Sequence, residues 1–373
     1  MTRETRTLLI QASLFVTTVI TTTLAGAEWT YGKSIFMSGY QWSDFVSGFA
    51  FSVPFLLILT THELGHYFTA RYHSVSATLP FYLPLPPLPF SIGTMGALIR
   101  LREKVYSKKQ NFDIGISGPL AGFVMALIVL TYGFANLPDA SYIYEIHPEY
   151  EEYGPNYAEH VYSSQSDSVI DVVVGKNLLF VFFEKYVADP TRVPNPHEIM
   201  HYPLLFAGFL SLVFTSLNLL PIGQLDGGHV VYGLFGFKVH RVIATIAFIG
   251  LMYYAGIGLI NVHDTAENLI YWIGGGALFL YVALKGLGLS GRDTLMYAVL
   301  ILASLLVISL LFPNARGFSG WIVFVFLLGR FIGIQHPPSE IEEPLDTKRI
   351  VLGWIALIIF VISFSPSPIL IGD

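Results

Sequence analysis

Two five-residue stretches of this sequence carry groups able to bind a metal ion. One is HELGH, residues 62 to 66, inside the apolar run FSVPFLLILTTHELGHYFTARYH. The other is HEIMH, residues 197 to 201. On a helix, residues i and i+4 share a face, so the two histidines of an HExxH stand one turn apart and can ligate one zinc ion. The glutamate between them can then take a proton from water during hydrolysis. The pattern alone is weakly specific, because only three of its five letters are set, and the surroundings must choose between the two copies.

For His62, Glu63 and His66 those surroundings are an apolar run long enough to cross a bilayer. Ionisable groups inside such a run are costly, and their default reading is functional. A purely structural polar cluster is the blander reading, and an expensive way to make a contact. For His197, Glu198 and His201, Asn195 and Pro196 read as the cap and first position of a short helix that ends before Pro203. That copy lies in a polar stretch, so it reads as a solvated turn leading into a span. A secondary metal site shared with His147 or His160 is the other reading. A further acidic group stands in TSLNLLPIGQLDGGHVVYG, where Asp226 follows a helix end marked by Pro221, and Gly227 and Gly228 allow tight backbone.

The elements that position these groups follow from composition. Of 373 residues, 53% are hydrophobic and 12% are charged, about half the charged fraction of a soluble protein. The expected fold is an all-α polytopic membrane protein with about nine transmembrane helices, near 8–26, 45–71, 113–134, 203–221, 241–261, 268–288, 294–311, 319–334 and 349–366. The first is read as a retained helix, because its apolar run is as long as a full span and no convincing signal-peptide cleavage site follows. Residues 1–44 hold that helix and its loop, 45–230 the core that carries the chemistry, and 231–373 the C-terminal helices. There is no cysteine, hence no disulfide and no thiolate site. No basic cluster interleaved with aromatics points to nucleic acid.

Two stretches break the helical pattern. Residues 77–103 are apolar but hold Pro80, Pro84, Pro86, Pro87 and Pro89, so they read as a membrane-embedded hairpin rather than a span. Residues 136–201 form an extramembrane insert with eleven Asp or Glu against three Lys or Arg, and its one apolar run, NLLFVFF, is read as lying along the interface. Basic residues fall in alternate loops: Arg3 and Arg6, Arg100 to Lys109, Lys238 and Arg241, Lys285 and Arg292, Lys348 and Arg349. With an odd number of spans all of these lie on one face, expected to be cytoplasmic together with the N-terminus. His66 and Asp226 then lie at similar depth near that face. His201 sits at the far end of the fourth span, about 28 Å away at 1.5 Å per residue.

HELGH on one span, SGPLAG at 117–122 on the next, and NLLPIGQLDGG at 218–228 together resemble the site-2 protease family of intramembrane zinc metalloproteases, over about residues 45 to 230. The later HPPSEIEEPLDTKRIVLGW, 336 to 354, is similar to a C-terminal feature of bacterial and chloroplast members that lack a PDZ domain. The resemblance implies that His62, His66 and Asp226 hold one Zn2+ per chain and that Glu63 is the catalytic base. It also implies a supporting role for Asn218, in holding the substrate backbone. The implied substrate is a transmembrane protein, cleaved within the lipid bilayer. The insert is short for a PDZ domain, and no nucleotide-sensing domain follows the last spans. With no transit-like leader, a bacterial or archaeal inner membrane is the expected location.

Some readings stay open. A metal-ion transporter using the same His, Glu and Asp is the alternative function, although a pathway usually spreads polar groups along several spans. A prenyl-protein-processing zinc protease also carries HExxH, but uses a downstream glutamate where this chain has LDGG. The segment SIGTMGALIRL, with Gly96 and Ala97, either offers a strand edge to an unwound substrate or is a packing hairpin. The glycines and proline of SGPLAG read as packing against the HELGH helix. His229 reads as an interfacial histidine ahead of a partner to the metal ligands, and His73, His240 and His263 read as ordinary histidines at span ends.

Overall fold

The computed structural model describes residues 2–88, 91–162, 172–260, 262 and 264–371, and it is mainly helical. Pro89 and His263 lie outside the described residues. Among the described residues, six helices are long and apolar enough to cross a membrane: Glu4–Tyr31, Trp42–Tyr72, Lys108–Ala135, Asp226–Gly256, Ala266–Leu287 and Gly291–Leu311. Three other expected spans correspond to shorter helices, Pro203–Asn218, Trp321–Ile332 and Thr347–Ser363. The chain divides into two compact units. One comprises Met1–Lys104, Ser117–Leu217 and Ile358–Asp373, the other Val105–Ile116 and Asn218–Leu357.

The first unit begins with α1 (Arg3–Tyr31), α2 (Trp42–Ser47) and α3 (Phe49–Tyr72). Helix α1 crosses α3 closely because Gly26 and Gly48 lack side chains: a Cβ on Gly26 would stand 2.6 Å from the Gly48 carbonyl oxygen. The proline-rich segment then forms a hairpin of β1 (Phe81–Pro84) and β2 (Thr94–Leu98), antiparallel, with a bulge between Tyr82 and Pro84. The expected hairpin is thus an actual strand pair, and the fold is not purely helical. Side chains of α1 tie it down. Thr21 Oγ1 donates to the Gly93 carbonyl at 2.6 Å, and Trp29 Nε1 donates to that of Ser91 at 3.0 Å. Gly93 has φ +79°, and a Cβ there would collide with the Thr21 carbonyl. Glycine therefore serves this turn both for its conformation and for its size.

Helix α4 (Lys108–Ala135) leads into the insert, which holds the short helices α5 (Ile143–Ile146) and α6 (Tyr157–Val161), strand β3 (Val172–Val174) and helix α7 (Leu178–Tyr186). Helix α8 (Pro203–Asn218) follows, and β4 (Ile369–Ile371) returns from the C-terminus to pair with β3. NLLFVFF is amphipathic as built. Phe180 and Phe183 are buried against Phe134 of α4, with ring centroids 5.0 and 5.6 Å away, while Leu178, Val181, Phe182 and Tyr186 are exposed. Aromatic pairs of this kind add about 0.5–1.5 kcal/mol beyond the area they bury.

The second unit holds the start of α4, then α9 (Asp226–Gly256), α10 (Ala266–Leu284), α11 (Gly291–Leu311), α12 (Trp321–Leu327) and the start of α13 (Thr347–Ser363). Lys238 and Arg241 do not form a loop: the helical stretch from Asp226 breaks at Gly236, where φ is 76° and ψ 174°, and a second stretch follows at once and runs to Gly256. Glycine reaches that non-helical conformation without steric cost. His240 lies near the start of the second stretch, fully buried. His73 does cap the end of α3.

Phe180 is fully buried and touches both Phe134 and Phe209. Phe180→Ala is expected to destabilise the protein by about 3–5 kcal/mol, because the neighbouring helices cannot close the resulting cavity. Thermal unfolding in detergent checks this, and an unchanged midpoint would show that α7 is not part of the core.

Candidate active site

The buried positions Phe51, Phe55, Ile58, His62 and His66 of α3 follow one another at three- and four-residue steps, so they form a single stripe along the helix. The two histidines extend an aromatic and aliphatic stripe toward the C-terminal end of the helix. His62 and Glu63 are each 5% exposed and His66 is 8% exposed. The Nε2 atoms of His62 and His66 face each other at 3.1 Å. Zinc–nitrogen bonds of about 2.0–2.1 Å at a tetrahedral angle place two ligand nitrogens about 3.3 Å apart, so this pair already has the spacing of a shared ion.

SGPLAG supplies the cradle. Gly118 and Gly122, one turn apart on α4, lie against the two imidazoles. A Cβ on Gly118 would overlap the His66 ring, and one on Gly122 would stand 3.0 Å from His62 Cβ. Reciprocally, a Cβ on Gly65 would stand 2.6 Å from the Ser117 carbonyl oxygen. Small residues four apart let two membrane helices approach backbone to backbone. Here the space gained is filled by the histidine rings. The hairpin adjoins the same stretch of α3, through a 2.7 Å hydrogen bond between Thr60 Oγ1 and the Tyr82 hydroxyl.

In the second unit, Asp226 occupies the first turn of α9, where a carboxylate complements the partial positive charge of the helix N-terminus. The chain between Asn218 and Asp226 is tightly coiled. Gly223 has φ +58°, and its N–H donates to the Ile334 carbonyl at 2.9 Å. A Cβ on Gly227 or Gly228 would strike the carbonyls of Leu219 or Gly223, so the DGG spelling reflects a loop folded back onto the helix start. His229 is paired rather than merely interfacial: its Nδ1 lies 2.8 Å from His336 Nε2. Tyr232 stacks on His336 with centroids 4.2 Å apart, and its hydroxyl accepts from the Ser339 N–H at 2.7 Å. His336 opens the HPPSEIEE stretch, with nothing in its own spacing to link it to His229. Its only local signal is a histidine followed by two prolines, which can hold a strap but cannot name what the strap covers.

HEIMH is the expected turn leading into α8, closed by a 3-10 turn, Ile199–His201, and it departs from expectation in its burial. In 3-10 geometry residues i and i+3 eclipse, so Glu198 aligns with His201, and His197 turns away to stack on Tyr162 at 4.0 Å. It is not solvated: Glu198 is 1% exposed and His201 9%. Burial raises the Glu198 carboxyl above its ordinary range and lowers His201 to about 4. Burial, then the Glu198 charge, push the Tyr202 phenol up to about 12. His147 joins this cluster, whereas His160 stacks on Tyr153 instead.

Gly118→Ala is expected to push the His66 ring off its present position and weaken metal retention by roughly tenfold or more, as happens when a ligand loses its support. Thr131→Ala, on an exposed part of the same helix, serves as the control. Metal content of the purified proteins checks this; full retention by Gly118→Ala would mean that the cradle does not position His66.

Comparison with known proteins agrees with the geometry. Residues 50–262 match the family model described as Peptidase family M50. Among similar curated proteins, the probable zinc metalloprotease EGY1, chloroplastic, of Oryza sativa subsp. japonica is 28% identical over 184 residues, 48% of this chain and 27% of the relative. The Arabidopsis thaliana protein of the same name is 26% identical over 226 residues, 59% of this chain and 34% of the relative. The probable zinc metallopeptidase EGY3, chloroplastic, of Arabidopsis thaliana is 28% identical over 227 residues, 56% of this chain and 35% of the relative. The chain thus spans about a third of the length of the curated relatives it matches. No solved structure matches it. Since the family match takes in more than half of the chain, including HELGH, SGPLAG and LDGG, the chain belongs to peptidase family M50, the site-2 protease family.

Proposed function

We propose that this chain is an intramembrane zinc metalloprotease that hydrolyses peptide bonds of transmembrane proteins. The observation that carries the reading is the buried His62–His66 pair on a membrane-length helix, with Nε2 atoms 3.1 Å apart and α4 glycines against both rings. His62, His66 and Asp226 hold one zinc at this centre. Two neutral imidazoles and one carboxylate form a hydrolytic donor set that leaves a position open. When bound, zinc supplies Lewis-acid polarisation of the scissile carbonyl and makes water more acidic.

The chain's own residues do the rest. Glu63, between the two histidines, takes a proton from the water whose oxygen attacks the peptide carbonyl carbon. It returns that proton to the amine nitrogen as the carbon–nitrogen bond breaks. Burial of Glu63 keeps bulk water away from this exchange. A substrate helix hides its carbonyls in its own hydrogen bonds, so it must unwind first. Strand β2 pairs with β1 on one edge, and its other edge takes the unwound segment by strand addition, around Gly96 and Ala97. The Thr60–Tyr82 hydrogen bond, two residues before His62, supports this role for the hairpin. Asn218 assists in holding the substrate backbone.

The topology we favour has nine spans and a cytoplasmic N-terminus. Two contacts support an odd number. The Thr30 carbonyl, at the end of α1, meets His201 of the insert, and β4 at the C-terminus pairs with β3 of the same insert. If α1 spans, the two termini then lie on opposite faces. The six long helices reach an odd total when the three shorter ones also cross. The chloroplast location in the relatives' names belongs to those proteins.

Glu63→Gln is expected to keep its metal and lose cleavage by about 10²–10⁴-fold. Comparing membrane-protein fragments in cells carrying either form checks this; identical fragment sets, or metal flux into proteoliposomes that survives the change, would sink the protease reading. Ala97→Pro is expected to impair cleavage with metal content intact, and normal cleavage by that variant removes strand addition.

A further inference from the structure

HEIMH and His147 form a second cluster of metal-binding groups, within the first unit and outside the site described above. His147 Nε2 lies 3.2 Å from His201 Nε2, and Glu198 Oε2 lies 3.7 Å from the latter. The donor atoms of all three residues lie within 4.8 Å of one another. The first distance is close to the separation of about 3.3 Å between ligands on a tetrahedral zinc.

The hydrogen bonds behind these atoms decide what they present. His201 Nδ1 is 2.7 Å from the Thr30 carbonyl oxygen. A carbonyl only accepts, so the proton is on Nδ1 and the neutral ring turns a bare lone pair toward His147. His147 Nδ1 is 3.1 Å from Glu149 Oε1, a carboxylate oxygen, which assigns that ring the same tautomer. Two nitrogen lone pairs thus face each other across 3.2 Å. Beside them is Glu198, 1% exposed. Its Oε1 accepts from the Tyr162 hydroxyl at 2.7 Å, while Oε2 is buried with no hydrogen-bond partner among the described residues. Metal-binding histidines commonly hand their other N–H to a carbonyl or carboxylate, and binding carboxylates are themselves hydrogen-bonded. Each of the three groups here has such a partner on its far side, and three bare donor atoms converge between them.

We propose that His147, Glu198 and His201 bind a second divalent metal ion of the zinc class, in the extramembrane insert. Imidazole nitrogen with one carboxylate suits zinc and its transition-metal neighbours better than calcium or magnesium. The ion clips the loop around Pro148 to the turn that enters α8. Through Thr30, it also fixes both against the end of α1. The alternative occupant is a single proton shared by the two imidazoles.

The test is zinc titration of the metal-stripped full chain in detergent, with His62→Ala and His66→Ala removing the other histidine pair. About one equivalent is expected to bind, and further addition of His147→Ala or His201→Ala to abolish it. Glu149→Gln, at an exposed side chain, is expected to weaken binding by about 10–100-fold with an unchanged elution profile. Absence of zinc binding by the His62/His66 double variant, or equal binding after His147→Ala, overturns the proposal and favours the shared proton. If the double variant does not fold, the intact chain serves: Glu149→Gln then shifts one of two binding steps, and two unshifted steps overturn the site. Neither result depends on whether the chain cleaves substrates, so loss of the protease reading leaves this one standing.

Discussion

The first unit depends on how closely α4 approaches the histidine face of α3. Imidazole rings are bulky and polar, and a helix pair in a membrane gains little from hydrophobic force when its surroundings are also apolar. The approach is possible because Gly118 and Gly122 contribute no side chain where His66 and His62 project, and because Gly65 contributes none where Ser117 passes. The histidines and the packing glycines are therefore one device. Histidines at helical spacing would be mobile without the glycines, and the glycines would leave a void without the histidines.

The same constraint explains the hairpin. Irregular backbone among apolar side chains has to find its hydrogen bonds inside the protein. Here Thr21 and Trp29 of α1 bind carbonyls of the turn, and Thr94 Oγ1 binds the Leu83 carbonyl across the strands at 2.9 Å. Pro84, in β1, has no N–H that would otherwise need a partner. A strand pair anchored in this way can keep its other edge for another chain. The insert follows a related logic with polar side chains. Its tyrosines and histidines stack on one another, so a sequence with many acidic residues still buries Glu198 and Tyr150.

Much of this was legible in the residues. HELGH within an apolar run marked the buried histidine pair, because ionisable groups are too costly there to be incidental. The prolines of 77–103 excluded a spanning helix before any strand was visible. The long spans were readable from apolar length, since nothing in their composition competes with helix. What failed was reading local polarity as exposure. HEIMH looked solvated because its neighbours are charged, yet the insert folds over it. Lys238 and Arg241 suggested a loop, whereas the helix breaks at the single residue Gly236 and resumes.

The sequence by itself determined which side chains are available and along which helix face they lie, because the α-helical period is a local property of the backbone. It thereby set His62 and His66 on one stripe and gave α4 a bare row opposite. Only the tertiary structure decided which distant residues meet those faces. That His147 meets His201, that Thr30 sets the His201 tautomer, and that His336 covers His229 are pairings separated by 54, 171 and 107 residues. Such contacts follow from how whole elements pack, and no spacing rule within a single element contains them.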